Sequence, residues 1–428
     1  MMAFLARLAR GELYPGAFAA AFATVAALSF LALLPESSRG NDSADFTDFY
    51  APVARSLLAG DGLWDVNEGA VATRYPPGFP VALAAAIGGG RLFGLSEDAA
   101  VRLLCLFGFA ATAATLFRLG RSVFGADAGM IAAIAFALYP PHLFLAKQPN
   151  SELVFMPLFL FGLELAWRGR REPYGWRFAL AAGAFIGLAA LVRPIALALF
   201  VPLGLFLYLF AEENRAHGRR LLVAFALAAG QLLFITPWTL YLHHELDRWV
   251  PLSTGGRLSM LDGLTIAAKK DRPGPPMPPA VAELMREIDA ARPELRSPGA
   301  IVSFLGEKAK EEPGTVARLL LLKIRRSFYA TDSLRWEGIL LAIQVPLLLF
   351  TAGGLAYAGR RRRQEPWLAF AVLTILVLLY FLAMTVLVLS ILRYLVPAMA
   401  LVFVLLGAAA IDLVNRRRHP SAAPGGPS

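Results

Sequence analysis

The chain has 428 residues, 57% of them hydrophobic and only 17% charged, with a mean hydropathy of +0.58 and a formal net charge of +10. Soluble domains carry roughly 45–50% apolar and about 25% charged residues, so this balance excludes a soluble globular enzyme. The apolar residues come in long runs sized to cross a bilayer as helices, not in the short alternating segments of a membrane β-barrel.

The positive charge sits in short arginine clusters between apolar runs. That is how cytoplasmic loops look under the positive-inside rule, and no nucleic-acid surface is read from it. The single cysteine, Cys105, lies inside an apolar run, so neither a disulfide framework nor a cysteine metal site is expected. Arg7 and Arg10 precede the first apolar run, 18–34, without a clear small-residue cleavage site. The run is expected to stay as a first helix with its start in the cytoplasm.

After this run the chain carries Asp42, Asp45 and Asp48. A carboxylate costs about 2.5–3.5 kcal/mol at a bilayer centre, so this cluster belongs at or outside the membrane surface. Residues 35–75 are expected outside. Within them, 50–58 reads as a short surface helix with Tyr50, Val53, Ala54, Leu57 and Leu58 on one face, ended by Gly60-Asp61-Gly62.

Two apolar segments follow, 78–95 and 99–117. If both crossed, every downstream arginine cluster would face outward. The segment 78–95 opens with Pro-Pro-Gly-Phe-Pro, contains Gly88-Gly89-Gly90 and carries Arg91. It is therefore expected to lie on or dip into the outer face without crossing. The remaining spans are 99–117, 129–145, 153–167, 178–192, 195–210, 221–242, 338–357, 367–388 and 391–413. With the first, that makes about ten, with both termini cytoplasmic. The expected units are a membrane module over 1–242 with its first outer loop at 35–98, a lid loop at 243–337, terminal helices at 338–415 and a disordered tail at 416–428. In the lid, 281–291 and 301–312 can be helical, whereas the Pro-rich centre around Pro273-Gly274-Pro275-Pro276 cannot.

With that topology the unusual polar residues gather on one side. Asp45 or Asp48 suits a general base or metal ligand at the membrane face, although Asp48 could instead cap the surface helix. Glu152, in Asn150-Ser151-Glu152, borders an apolar stretch on the same side, and Asn150 or Ser151 could cap the helix that begins there. Arg193-Pro194, Arg393-Tyr394 and Arg74-Tyr75 put three arginines outside, which suits a lipid phosphate better than chance snorkelling. Ser253-Thr254-Gly255-Gly256 is a polar turn able to bring backbone close to a ligand. It is not a Walker motif, and no nucleotide site is read. His243-His244 with Glu245 and Asp247 is a weak metal pattern and reads as an interfacial loop.

These segments together resemble the GT-C superfamily of integral-membrane glycosyltransferases, in particular the bacterial branch related to protein mannosyltransferases and the aminoarabinose lipid A transferase. The resemblance rests on Asp45-Phe46 through Tyr50 to Gly60, Tyr75-Pro76-Pro77-Gly78-Phe79-Pro80, Gly120 to Gly125, and Asn150-Ser151-Glu152. It continues through Arg193-Pro194, Pro237-Trp238, Val250 to Gly256 and Arg393 to Pro397. It implies an all-α polytopic GT-C fold in the inner membrane, a polyprenyl-phosphate sugar donor and an extracytoplasmic active site. Asp45 matches the family's first-loop acid best, with Asp48 second, and Glu152 matches the second-loop acid. A divalent cation, Mg or Mn, at Asp45 and Glu152 stays open, because family members that use one often carry an Asp-x-Asp pair there and this chain has one acid.

The expected function is inverting transfer of a hexose or pentose from the lipid donor to a glycolipid, polysaccharide or protein acceptor. Asp45 or Asp48 is the expected base. Glu152 orients substrate, Arg193, Arg393, Tyr394 and Arg74 hold the donor phosphate, and Tyr50, Tyr75 and the 253–256 turn line the site. A lipid-linked oligosaccharide ligase or polymerase is the second reading. A lipid or sugar flippase is the third, disfavoured because the acids sit at one surface and no repeat is visible.

Overall fold

The computed structural model describes residues 14–35, 44–211, 216–265, 277–361 and 364–418. Arg7, Arg10, Asp42, the Pro273–Pro276 stretch, Arg362, Arg363 and the tail from His419 lie outside these residues.

The first helix, α1 (Tyr14–Leu33), is mostly Ala, Phe and Leu and carries no charged residue. The chain after α1 then makes one π turn, Phe46–Tyr50, that runs straight into α2 (Ala51–Ala59). Gly60 ends α2 at φ +94°, a conformation that glycine adopts without a Cβ penalty. A two-residue antiparallel ladder, β1 (Trp64–Asp65) with β2 (Ala70–Val71), closes the loop. The segment expected not to cross forms α3 (Gly78–Leu92), 15 residues long and too short to span.

Next come α4 (Glu97–Phe124), α5 (Ala126–Ala137) and α6 (Pro140–Lys147). Ser96 caps α4 by accepting the Ala99 N–H at 3.2 Å. The expected span 129–145 is bent by 58° between α5 and α6. The cause is Tyr139-Pro140-Pro141: proline supplies no N–H, and the residue before it is driven to extended backbone (Tyr139 φ −66°, ψ 117°).

Helices α7 (Glu152–Gly169), α8 (Gly175–Val192), α9 (Phe200–Phe210) and α10 (His217–Leu246) complete the first module. α10 runs through the boundary expected at 242 and ends at Asp247 in left-handed backbone. The lid is four helices, α11 (Gly256–Leu264), α12 (Pro279–Ala290), α13 (Pro298–Glu311) and α14 (Pro313–Arg326), where two were expected. They bury a core of their own that includes Leu261, Val281, Ile288, Ile301 and Leu319. Three further helices follow: α15 (Glu337–Arg360), α16 (Trp367–Leu387) and α17 (Leu392–Arg418), the last three residues longer than its expected boundary.

Among the described residues seven helices are long and apolar enough to cross a membrane, and the bent pair makes up to eight. The chain is a multi-pass membrane protein. The other two expected spans are α7, which carries Glu152, Glu164 and Arg168, and the shorter Pro194–Phe210 segment. Glu164 does not stand alone: it accepts from Arg118 Nε at 3.0 Å. Together with Arg170–Glu365 at 2.8 Å and Arg361–Asp412 at 3.2 Å, it forms an ion-paired end of the bundle away from Glu152.

Helices α8 and α10 touch backbone to backbone. A Cβ on Gly183 would strike the Leu227 carbonyl oxygen, and one on Gly230 would strike that of Leu180. Since α8 ends at Arg193, this contact sets where that guanidinium sits. Gly230→Val is expected to lower stability by about 1–3 kcal/mol through overpacking, whereas Gly218→Ala, which meets open space, leaves it unchanged; detergent-solubilised thermal unfolding of both variants checks this.

Candidate active site

A cavity of about 130 Å³ lies where the first outer loop, the start of α7, the end of α8, the lid and the facing ends of α16 and α17 meet. Four of its five charged residues are held at element boundaries by local sequence. Asp45 immediately precedes the π turn. Gln148 is extended because Pro149 follows it, and Asn150 then seals the end of α6 by donating from Nδ2 to the Leu145 and Gln148 carbonyls at 3.2 Å each. That delivers Glu152 to the first position of α7. Arg193 is extended (φ −142°, ψ 124°) because Pro194 follows it, so α8 stops there. Arg393 lies in the first turn of α17.

Glu152 is the centre. Its side chain is 1% exposed, and its Oε1 lies 2.8 Å from Arg193 Nη1 and 2.9 Å from Arg393 Nε. Arg193 also donates from Nη1 to Ser151 Oγ at 2.8 Å. Ser151 therefore serves the arginine and makes no side-chain cap on α7. Arg393 reaches further, to Asp45 Oδ2 at 3.6 Å. The other Asp45 oxygen, Oδ1, accepts the Tyr75 hydroxyl at 2.9 Å. Tyr394 lies under both guanidiniums, with ring centres 4.8 Å from Arg193 and 5.5 Å from Arg393, within cation–π range.

Tyr50, Tyr75, Phe49 and Phe79 pack edge to face or tilted, with ring centres 4.9–5.1 Å apart in the pairs Tyr50–Phe79, Tyr50–Tyr75 and Phe49–Tyr75. Burial raises the phenol pKa of Tyr75, and the charge of Asp45 and its hydrogen bond to that carboxylate push the same way. Tyr75 thus remains a donor toward Asp45 at any working pH. Burial likewise raises Tyr50, against the opposing field of Arg193.

The lid joins the first loop through main chain. Thr254 N–H donates to the Thr73 carbonyl at 2.8 Å and Gly255 N–H to the Arg74 carbonyl at 3.1 Å, with Thr73 and Thr254 hydroxyls 3.2 Å apart. A Cβ on Gly255 would lie 2.5 Å from the Arg74 carbonyl oxygen, so glycine is needed for this approach. Arg74 lines the cavity and stacks on Tyr75 at 5.5 Å; among the described residues its guanidinium has no carboxylate partner.

Of the residues singled out from sequence, Asp45, Glu152, Arg74, Arg193, Arg393, Tyr394, Tyr50, Tyr75, Ser253, Gly255 and Gly256 line this one cavity. Thr254 braces it through Thr73. Asp48 lies apart: it is exposed, accepts from Thr47 Oγ1 at 2.8 Å and makes no cap on α2. His243 stacks on Trp249 at 4.2 Å, and His244 is 3.4 Å from Glu245. Asp45 and Glu152 do not fit a divalent cation, because both carboxylates are already turned onto guanidiniums and a phenol. Among the described residues no group of three His, Cys, Asp or Glu side chains could hold one.

Sequence reasoning passed over Thr73, Ser259, Val388 and Lys323. Only Lys323 carried a signal, a lone lysine inside Leu319-Leu320-Leu321-Leu322-Lys323-Ile324. It is 2% exposed and donates to the Gly263 carbonyl at 2.9 Å and the Val388 carbonyl at 3.3 Å, so it ties two lid helices to the cavity-facing end of α16.

A family profile described as dolichyl-phosphate-mannose-protein mannosyltransferase matches residues 76–241, which include Glu152 and Arg193 but neither Asp45 nor Arg393. A search of curated protein sequences found no match. Among solved structures, the archaeal oligosaccharyltransferase AglB from Archaeoglobus fulgidus, solved with an inhibitory peptide and a dolichol-phosphate, is 16% identical with a TM-score of 0.57. That alignment covers 98% of this chain and 53% of AglB. The same enzyme tethered to an acceptor peptide gives 14% identity and a TM-score of 0.59, over 96% of this chain and 51% of that one. The chain has the GT-C fold.

ArnT from Cupriavidus metallidurans bound to undecaprenyl phosphate aligns at 16% identity and a TM-score of 0.39, over 96% of this chain and 81% of that one. The chain spans about half the length of AglB.

Two outcomes test this geometry. Glu152→Ala leaves two arginines facing each other without their shared counter-ion and is expected to lower stability by about 3–5 kcal/mol; Asp48→Asn is expected to stay within about 0.5 kcal/mol, both read by thermal unfolding. Burial pushes Lys323 down to about 7, and Arg326 acts in the same direction. An unfolded lysine titrates near ~10.4, so the unfolded chain binds more protons between those values and stability rises with pH across that window. The rise is expected to be missing from Lys323→Met, measured as the difference between the two unfolding profiles over pH 7–10.

Proposed function

We propose that the chain is an inverting glycosyltransferase that moves a hexose or pentose from a polyprenyl-phosphate donor to an acceptor hydroxyl or amine. The single observation that carries this reading is the convergence of Asp45, Glu152, Arg193 and Arg393 at one cavity formed by helix ends. AglB is solved with a dolichol-phosphate; a polyprenyl phosphate is the corresponding ligand proposed here. The ion-paired arginine end of the bundle, away from the cavity, supports a cytoplasmic location for that end and an extracytoplasmic active site in the inner membrane.

In the proposed step, the acceptor oxygen or nitrogen attacks the anomeric carbon while its proton passes to Asp45. The bond from that carbon to the phosphate oxygen breaks, and the lipid phosphate leaves with one more negative charge. Arg74 and the outer edges of Arg193 and Arg393 face that charge. Glu152 holds the two arginines in place and touches neither reacting atom. Tyr75 orients the Asp45 carboxylate, leaving its Oδ2 side for the proton. No step runs through a metal ion. The lid, tied down at Gly255 and Lys323, keeps out the water that would otherwise hydrolyse the donor.

Transport of a lipid or sugar is the less favoured reading, because the acids lie at helix ends and not at mid-bilayer. Label transfer from a panel of polyprenyl-phosphate sugars and lipid-pyrophosphate oligosaccharides, with Asp45→Asn, Asp48→Asn and Glu152→Gln at equal folded yield, separates the readings. Asp45→Asn is expected to lose about 10²–10⁴-fold in rate, and Asp48→Asn to keep native transfer. Transfer only from the pyrophosphate oligosaccharides would favour a ligase. Full activity in Asp45→Asn would overturn the proposed base, and movement of unmodified substrate across vesicles would point to a transporter.

A further inference from the structure

A second cavity, of about 240 Å³, opens between the site-facing ends of α1, α4 and α6. It shares one lining residue with the first cavity, Pro149. Most of its wall is apolar: Leu28 and Leu31 from α1, Val101, Cys105 and Leu106 from α4, and Ala146 from α6. α1 is the least buried of the candidate spans, with 17% of its apolar window covered, so one wall of the cavity is a helix that meets hydrocarbon.

Two cations line the cavity. Arg102 holds Asp98, four residues earlier, at 2.8 Å. Lys147 closes the last turn of α6 and is half-buried. Among the described residues Lys147 makes no ion pair and no side-chain hydrogen bond. A hydrocarbon-lined slot with one uncompensated ammonium at the membrane boundary is complementary to an anionic amphiphile.

We infer that this cavity is a lipid subsite that takes a membrane lipid with a phosphate-bearing headgroup, its chain against α1 and α4 and its phosphate on Lys147. The donor phosphate has its own partners across Pro149, at Arg74, Arg193 and Arg393, so a lipid held here is the second substrate. Its headgroup end lies beside Pro149, the residue that both cavities share. That role as acceptor rests on the transfer reading given above. The binding itself does not, and it can be measured without any turnover.

Leu28 lines the cavity and is 48% exposed, whereas Cys105 is 6% exposed, so occupancy is read with a photo-crosslinking Leu28→benzoylphenylalanine variant. The purified full chain is irradiated with radiolabelled short-chain phosphatidic acid, and unlabelled phosphatidic acid, short-chain phosphatidylcholine or inorganic phosphate competes. Phosphatidic acid is expected to be captured, with inorganic phosphate not competing and phosphatidylcholine competing only at higher concentration. Lys147→Gln is expected to weaken phosphatidic acid binding about fivefold or more, the contribution of one cation at a membrane surface. Lys147→Arg is expected to keep it, and Ala32→Trp, which fills the slot, to abolish capture. Equal capture in Lys147→Gln or equal competition by the two lipids would each overturn the inference. Capture with no sugar transfer from any donor would uphold the lipid subsite and remove only its role as acceptor.

Discussion

The structure turns on one buried carboxylate. Glu152 has almost no exposure and sits between two guanidiniums that come from the end of α8 and the start of α17. A lone ion in such surroundings costs several kcal/mol in lost hydration. Here each charge offsets the others, and the helix ends that carry them cannot separate without exposing an unpaired ion. The ends of α8 and α17 are thereby fixed relative to α7. Asp45, reached by Arg393 at 3.6 Å, draws the first outer loop into the same network. The cavity lies where these paired charges meet.

Everything around the network limits how far it can relax. Gly183 and Gly230 set the closest approach of α8 and α10, and so the height at which Arg193 emerges. Thr73 and Arg74 pair with Thr254 and Gly255 through main chain, a two-bond strip between the first loop and the lid. Lys323 bonds carbonyls of α11 and of the residue after α16 from a fully buried position. The lid is consequently fastened at two points to the walls of the cavity it covers.

Much of this was legible in the sequence because charged residues are rare in it. Against a background of apolar runs, Asp45, Glu152, Arg193 and Arg393 each stand out, and the arginine clusters set them on one side. Proline made the local geometry readable as well: Pro194 marks where α8 must stop, and Pro76-Pro77 marks where α3 begins. What could not be read was pairing. Sequence gives no ground for Ser151 accepting from Arg193 instead of capping its own helix, because both uses need the same hydroxyl. The bend at Tyr139 and the two extra lid helices were missed because apolar periodicity alone does not distinguish one bent span from a straight one, or a lid helix packed on its own core from a loop. Lys323 stands out in sequence as a lone lysine in a leucine run, but the two carbonyls it meets come from segments 60 and 65 residues away and are set by the fold.

The charge balance of the cavity also bears on turnover. Asp45 and Glu152 offset Arg193 and Arg393, which leaves Arg74 as the excess positive charge facing an incoming phosphate. In the proposed reaction the acceptor proton moves to Asp45 as the lipid phosphate gains a negative charge. Protonation removes one of the two carboxylates that hold Arg393, so more of its field turns toward the leaving group at the moment the charge appears. Such a coupling needs no domain movement. It needs one guanidinium shared between a structural carboxylate and a titrating one, and Arg393 is shared in this way between Glu152 and Asp45.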